Sequence, residues 1–75
     1  MKHYKNLGGN SGVEGYEAGM DSITVQFKDG ASYLYTYASA GASNIETMKQ
    51  LADGGVGLNS FITRNVRNAY QAKSR

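Results

Sequence analysis

The segment QFKDGASYLYTY, residues 26–37, carries tyrosines at 33, 35 and 37, every second position, just past an Asp29-Gly30 turn signal. Which way those rings face depends on how many residues the turn contains. In an antiparallel pair, residues directly opposite one another share a face, so loop length decides which side chains are companions. A two-residue Asp29-Gly30 loop sets Gln26 against Tyr33 and Thr24 against Tyr35, placing the tyrosines with Lys28 and away from Ile23, Val25 and Phe27. A three-residue loop, Lys28-Asp29-Gly30, made of a type I turn and a left-handed glycine, moves the pairing by one. Val25 then faces Tyr33 and Ile23 faces Tyr35, leaving Thr24, Gln26, Lys28, Ser32 and Thr36 on the wet side with Leu34 as the exception. Only this second register yields one apolar and one polar face, as a small sheet with helices on one side requires.

Two roles for the tyrosines follow. In the buried register, Tyr33 and Tyr35 are core residues whose hydroxyls reach the rim. In the exposed one, Tyr33, Tyr35 and Tyr37 form a platform beside Lys28 on which single-stranded bases stack, each worth roughly 1–3 kcal/mol.

Upstream, SITVQFK (22–28) alternates Ile23, Val25 and Phe27 with Thr24, Gln26 and Lys28, the period of a half-buried strand, and VEGYE (13–17) predicts a shorter strand before it. Residues 1–12 are polar and carry Gly8, Gly9 and Gly12, so a flexible N-terminal arm is expected there unless Tyr4 and Leu7 dock. Downstream the period changes. SNIE (43–46) has the form of a capping box, and Ile45, Met48, Leu51 and Ala52 recur at helical spacing, predicting a helix over about 44–53 that Gly54-Gly55 stops. Asn59 or Ser60 can cap a second helix with Leu58, Phe61, Ile62, Val66, Ala69 and Tyr70 on its apolar side. The expected fold is α+β: a three-stranded antiparallel β-meander with two C-terminal helices packed on one face, in a single domain over 13–75.

At 75 residues, with no cysteine, this domain must meet an ordering cost of roughly 1.5 kcal/mol per residue by packing alone, or with help from self-association. No apolar run approaches a membrane span and no signal-peptide pattern is present, so a soluble, cytoplasmic protein without membrane contacts is expected. A net charge of +2 does not by itself argue for nucleic acid, but its distribution is uneven. No acidic residue follows Asp53, whereas Arg64, Arg67, Lys73 and Arg75 all do.

Catalysis has little to stand on. The single histidine, His3, lies in the expected arm, and without cysteine no Ser-His or Cys-His pair has an anchor. Glu14, Glu17 and Asp21 lack the spacing of a calcium loop. No enzyme activity, metal or cofactor is expected. ADGGVGLNSF (52–61) is a better candidate. A glycine-rich turn through Gly55 and Gly57 feeding a helix at Asn59 can present backbone N–H groups to phosphate, and Arg64, Arg67, Asn68 and Gln71 fall at i, i+3, i+4 and i+7 of that helix. The competing reading makes the glycines a helix stop and turn, Asn59 a cap, and the arginines solvated.

The succession GYE, ITVQFKDG, YLYTY and LADGGVGLNSFITRNVRNAY resembles the KTSC domain, a short module similar to a C-terminal segment of some lysyl-tRNA synthetases and found in small bacterial and phage proteins. The matching features are Phe27 with Gly30, Tyr33 with Tyr35, and Arg67 with Tyr70, over roughly residues 13–72. The chain departs from the family pattern at ASAGASN (38–44), where a Val-Pro step is usual. The resemblance implies a binding module and, by a suggestion attached to the family, RNA as ligand. Together these readings lead to a non-catalytic module for a phosphate-bearing ligand: RNA, another nucleic acid or a nucleotide. The alternative is a protein-interaction or self-assembling small phage or bacterial protein, a homo-oligomer in which the tyrosines and Met48 form the contact and which could sequester a nucleotide.

Overall fold

In the computed structural model, which describes residues 1–9 and 11–74, the reversal at residues 28–30 contains three residues. The Phe27 N–H donates to the Ala31 carbonyl at 2.8 Å, and the Gly30 N–H donates to the Phe27 carbonyl at 3.0 Å. Gly30 sits at φ 95°, where an L side chain would be strained, and the Asp29 carboxylate accepts from the Ala31 N–H at 2.9 Å. Ile23 therefore faces Tyr35 and Val25 faces Tyr33, the register that gathers the apolar side chains on one face. Ile23, Val25 and Tyr35 are buried to within 1% of full burial.

This hairpin, β3 (Ser22–Phe27) and β4 (Ser32–Thr36), is the centre of a five-stranded antiparallel sheet in sequential order. β2 (Val13–Ala18) pairs with β3 through a bulge between Val13 and Gly15. The bulge brings Val13 and Tyr16, an odd number of positions apart, onto the same buried face. Two short strands extend the expected meander: β1 (Lys2–His3) on the free edge of β2 and β5 (Ala72–Ser74) on that of β4. Both are exposed throughout and held by edge hydrogen bonding, so neither carries the apolar alternation that marks a strand in sequence.

The expected mobile arm is thereby corrected. Leu7 stays 70% exposed, but Tyr4 docks with 1% of its surface accessible and joins the core. Its backbone N–H donates to the Glu14 carbonyl at 3.0 Å, and its hydroxyl accepts from the Leu58 N–H at 3.3 Å. The domain therefore begins upstream of residue 13.

The helices also start differently. After Thr36 the chain turns into α1 (Tyr37–Ala40), where Thr36 and Ser39 form the capping box expected at Ser43 and Glu46. α2 (Ala42–Gly54) begins at Gly41 without a side-chain cap and buries Ile45, Met48 and Ala52 on the sheet. It stops at Gly55, as anticipated, with φ 78°. Gly55 is needed twice over, because a β-carbon there would lie 2.6 Å from the Lys5 β-carbon. Its carbonyl also accepts from the Leu7 N–H at 2.7 Å. The second helix is neither capped by Asn59 or Ser60 nor α-helical to Tyr70. It comprises α3 (Leu58–Phe61), capped at Gly57, and then a π-helical segment, Ile62–Val66. Leu58, Ile62 and Val66 complete the core. No helix among the described residues is long and apolar enough to cross a membrane.

Tyr4→Ala should lower the unfolding free energy by about 3–5 kcal/mol and Tyr4→Phe by about 1 kcal/mol, the latter for the lost Leu58 contact. Urea denaturation of both variants measures this; an unchanged Tyr4→Ala midpoint would mean that the first residues are no part of the domain.

Candidate functional site

The hairpin end of the sheet stands on one side and the segment running from α3 to β5 on the other. Between them lies a cleft of about 570 Å³. Phe27, Lys28 and Asp29 come from the hairpin tip, Tyr33 and Tyr35 from β4, and Gly12 from before β2. Asn59, Ile62 and Thr63 come from α3 and its π-helical continuation, Arg67, Asn68 and Tyr70 from the connection that follows, and Lys73 from β5.

Tyr33 is the hub of its aromatic lining. Phe27 meets it edge-on at 5.4 Å between ring centroids, Tyr70 does the same at 5.0 Å, and Tyr35 lies nearly parallel at 6.4 Å. The Lys73 ammonium stands 5.3 Å from the Tyr33 centroid, within cation–π range. Tyr33 is partly buried and Tyr35 almost wholly so, so the two differ in availability although they share a face. Burial, reinforced by the neighbouring phenols of Tyr33 and Tyr70, raises the Tyr35 pKa to about 12.

Three cations converge on this cleft: Lys28, Arg67 and Lys73. Among the described residues the one salt bridge is Lys49 to Glu46, on α2, so none of the three has a carboxylate partner there. Asp29 is the single acidic residue at the cleft among the described residues, and its carboxylate is engaged with the hairpin backbone. Asn59, Thr63 and Arg67, at successive i+4 steps, present polar groups along one side of the helical segment.

The expected site is thus split. Arg67, Asn68 and Asn59 reach the cleft, but Arg64 is exposed outside it, and Gln71 is strand edge. The Gln71 N–H donates to the Leu34 carbonyl at 2.7 Å, and its side-chain carbonyl accepts from the Thr36 hydroxyl at 2.9 Å. The i, i+3, i+4, i+7 pattern assumed an unbroken α-helix; the wider π turn and the end of the helix before Tyr70 break that face. Gly55 is a helix cap beneath Lys5, and Gly57, at φ 86°, borders a separate cavity of about 260 Å³ beside Tyr4 and Asn6.

The three-tyrosine platform is corrected as well. Tyr35 is core, and Tyr37 leaves the strand to open α1, where its hydroxyl donates to Glu46 at 2.5 Å. Lys49 bonds the same carboxylate at 3.0 Å and lies over the Tyr37 ring. Those hydrogen bonds hold the Glu46 carboxyl below its ordinary pKa. Met48 is fully buried, which removes it from any subunit contact. Arg75 lies outside the described residues.

Sequence reasoning missed Phe27, Lys28, Thr63, Tyr70 and Lys73 as site residues. The three-residue hairpin already set Phe27 on the face of Tyr33, a usable signal, but it put Lys28 on the wet side. Tyr70 and Lys73 gave none, because their position depends on β5 pairing with β4.

Among the described residues no group of three His, Cys, Asp or Glu side chains could hold a metal ion. No protein-family model, curated protein or solved structure matches the chain.

On the far side of the molecule, Tyr16 donates its hydroxyl to Asp53 at 2.6 Å, and that bond, with burial and the carboxylate charge, raises its pKa to about 12. Tyr16 and Tyr35 thus both favour the neutral phenol in the fold, against an ordinary value of 10.0. Their contribution to stability is complete below pH 10 and is lost as pH rises through about 12. Thermal melts should fall steeply over that window, and phenolate absorbance should show these tyrosines ionising after the ordinary ones. Full titration of every tyrosine near pH 10 with the fold intact would contradict both environments.

Proposed function

We propose that the chain is a non-catalytic binding module for a phosphate-bearing ligand, RNA or another nucleic acid foremost, acting in the cytoplasm. The observation that carries this reading is the convergence of Lys28, Arg67 and Lys73, from three separate parts of the chain, on a cleft walled by Phe27, Tyr33 and Tyr70. Cations attract phosphate, aromatic faces accept bases, and the combination is what single-stranded nucleic acid sites use. Arg67 supplies a planar fork suited to phosphate oxygens, and the lysines add point charges. The amides of Asn59 and Asn68 can both donate and accept, as base edges and sugars require.

Kinship with the KTSC domain, in a bacterial or phage protein, belongs to the same proposal. Its support is that five of the six residues that carry the resemblance, Phe27, Tyr33, Tyr35, Arg67 and Tyr70, border this one cleft although they are spread over more than half the chain; the sixth, Gly30, shapes the hairpin turn.

Filter binding of single-stranded RNA should give an affinity that falls with salt. Alanine at Lys28, Arg67 or Lys73 should each reduce the log–log slope by about 0.7. Absence of binding at low salt would end the proposal.

A further inference from the structure

We infer that the cleft takes one nucleoside phosphate unit, free or at the end of a strand, and does not track a running length of nucleic acid. This deepens the phosphate-ligand reading and rests on it.

Size is the first reason. A volume of about 570 Å³ falls within the 300–1,000 Å³ of pockets that enclose small ligands. A backbone-tracking groove instead spans roughly 4–16 nucleotides.

Charge is the second. A track needs cations at intervals, whereas Lys28, Arg67 and Lys73 cluster in one place. The sheet order puts Lys2, on β1, at the edge opposite Lys73, on β5. The intervening β2 exposes Glu14 and Glu17, which would repel a phosphodiester chain crossing that way. Lys49 is engaged with Glu46, and Arg64 lies outside the cleft.

The third reason is the arrangement of rings. Successive bases need successive exposed faces, and the alternation at 33, 35 and 37 seemed to offer them. With Tyr35 buried and Tyr37 bound to Glu46, a single aromatic cluster remains, Tyr33 with Phe27 and Tyr70. Lys73 already stands over the Tyr33 ring, so phosphate and base recognition meet at the same side chain. Such a cluster serves one base, with phosphate between Lys73 and Arg67.

Isothermal titration at low salt would compare nucleoside monophosphates with oligoribonucleotides from about two to about twelve nucleotides long, with and without a 5′-phosphate. The expected result is one ligand per chain and an affinity that reaches its plateau by about two nucleotides, changing less than about threefold with further length. Equal binding of the monophosphates marks a free nucleotide as the ligand. Preference for 5′-phosphorylated over 5′-hydroxyl oligomers marks a strand terminus. Arg67→Ala and Lys73→Ala, both at exposed positions, should weaken binding about tenfold or more while circular dichroism stays unchanged. An affinity climbing tenfold or more between about two and about eight nucleotides would overturn the inference while leaving the phosphate-ligand reading intact. No binding of any of these probes would overturn both.

Discussion

The three-residue reversal at Lys28-Asp29-Gly30 is the constraint on which the rest of this molecule depends. A strand has a side-chain period of two, so one residue more or fewer in that loop would exchange the faces of β4 relative to β3. With three residues, Ile23, Val25 and Tyr35 point together and give α2 an apolar surface to cover. The bulge at Val13–Gly15 makes a second parity correction, in the opposite strand, and brings Val13 and Tyr16 into the same layer. A chain of this size without disulfides has few apolar side chains to spare, so both corrections are needed to gather them.

The same reversal creates the cleft. By placing Phe27 and Tyr33 on the same face, it sets two rings edge-on to one another in the cleft lining. The helical segment after Gly57 closes the opposite wall, and the π-helical turn swings Arg67 and Asn68 toward those rings while Arg64 remains outside. Pairing of β5 with β4 then adds Lys73, and the connection before it Tyr70, to the lining. Core and site are therefore one construction: Tyr35 is the floor of the cleft and a member of the core at once.

Chain termini are usually peripheral in small domains, but both contribute here. Tyr4 buries its ring and satisfies the first N–H of α3, one of the helix-start donors that has no partner within the helix. Asn59 and Ser60 lie inside the first turn of α3 and so do not cap it, and Asn59 borders the cleft. At the other end, pairing of Ala72–Ser74 with β4 covers what would otherwise be an open strand edge beside the tyrosines.

How much of this was legible depends on the range of the interaction concerned. The central hairpin, its register, the polar and apolar faces, and the helix ending at Gly55 were written locally, in Ile23-Thr24-Val25-Gln26-Phe27, in Asp29-Gly30 and in Gly54-Gly55, because period and turn chemistry are properties of neighbouring residues. Arg67, Asn68, Asn59, Tyr33 and Tyr35 were legible as candidates, but Thr63, Tyr70 and Lys73 beside them were not. Whether Thr36 ends a strand or caps a helix, whether Arg64 shares a face with Arg67, and whether Tyr4 and Lys73 join anything are decided by contacts between residues tens of positions apart. Sequence alone narrowed the β3–β4 hairpin to two registers and favoured the one found, because turn chemistry and side-chain period are local; tertiary structure decided the bulge in β2 and the cleft, whose walls meet only after β5 and α3 have packed on the sheet.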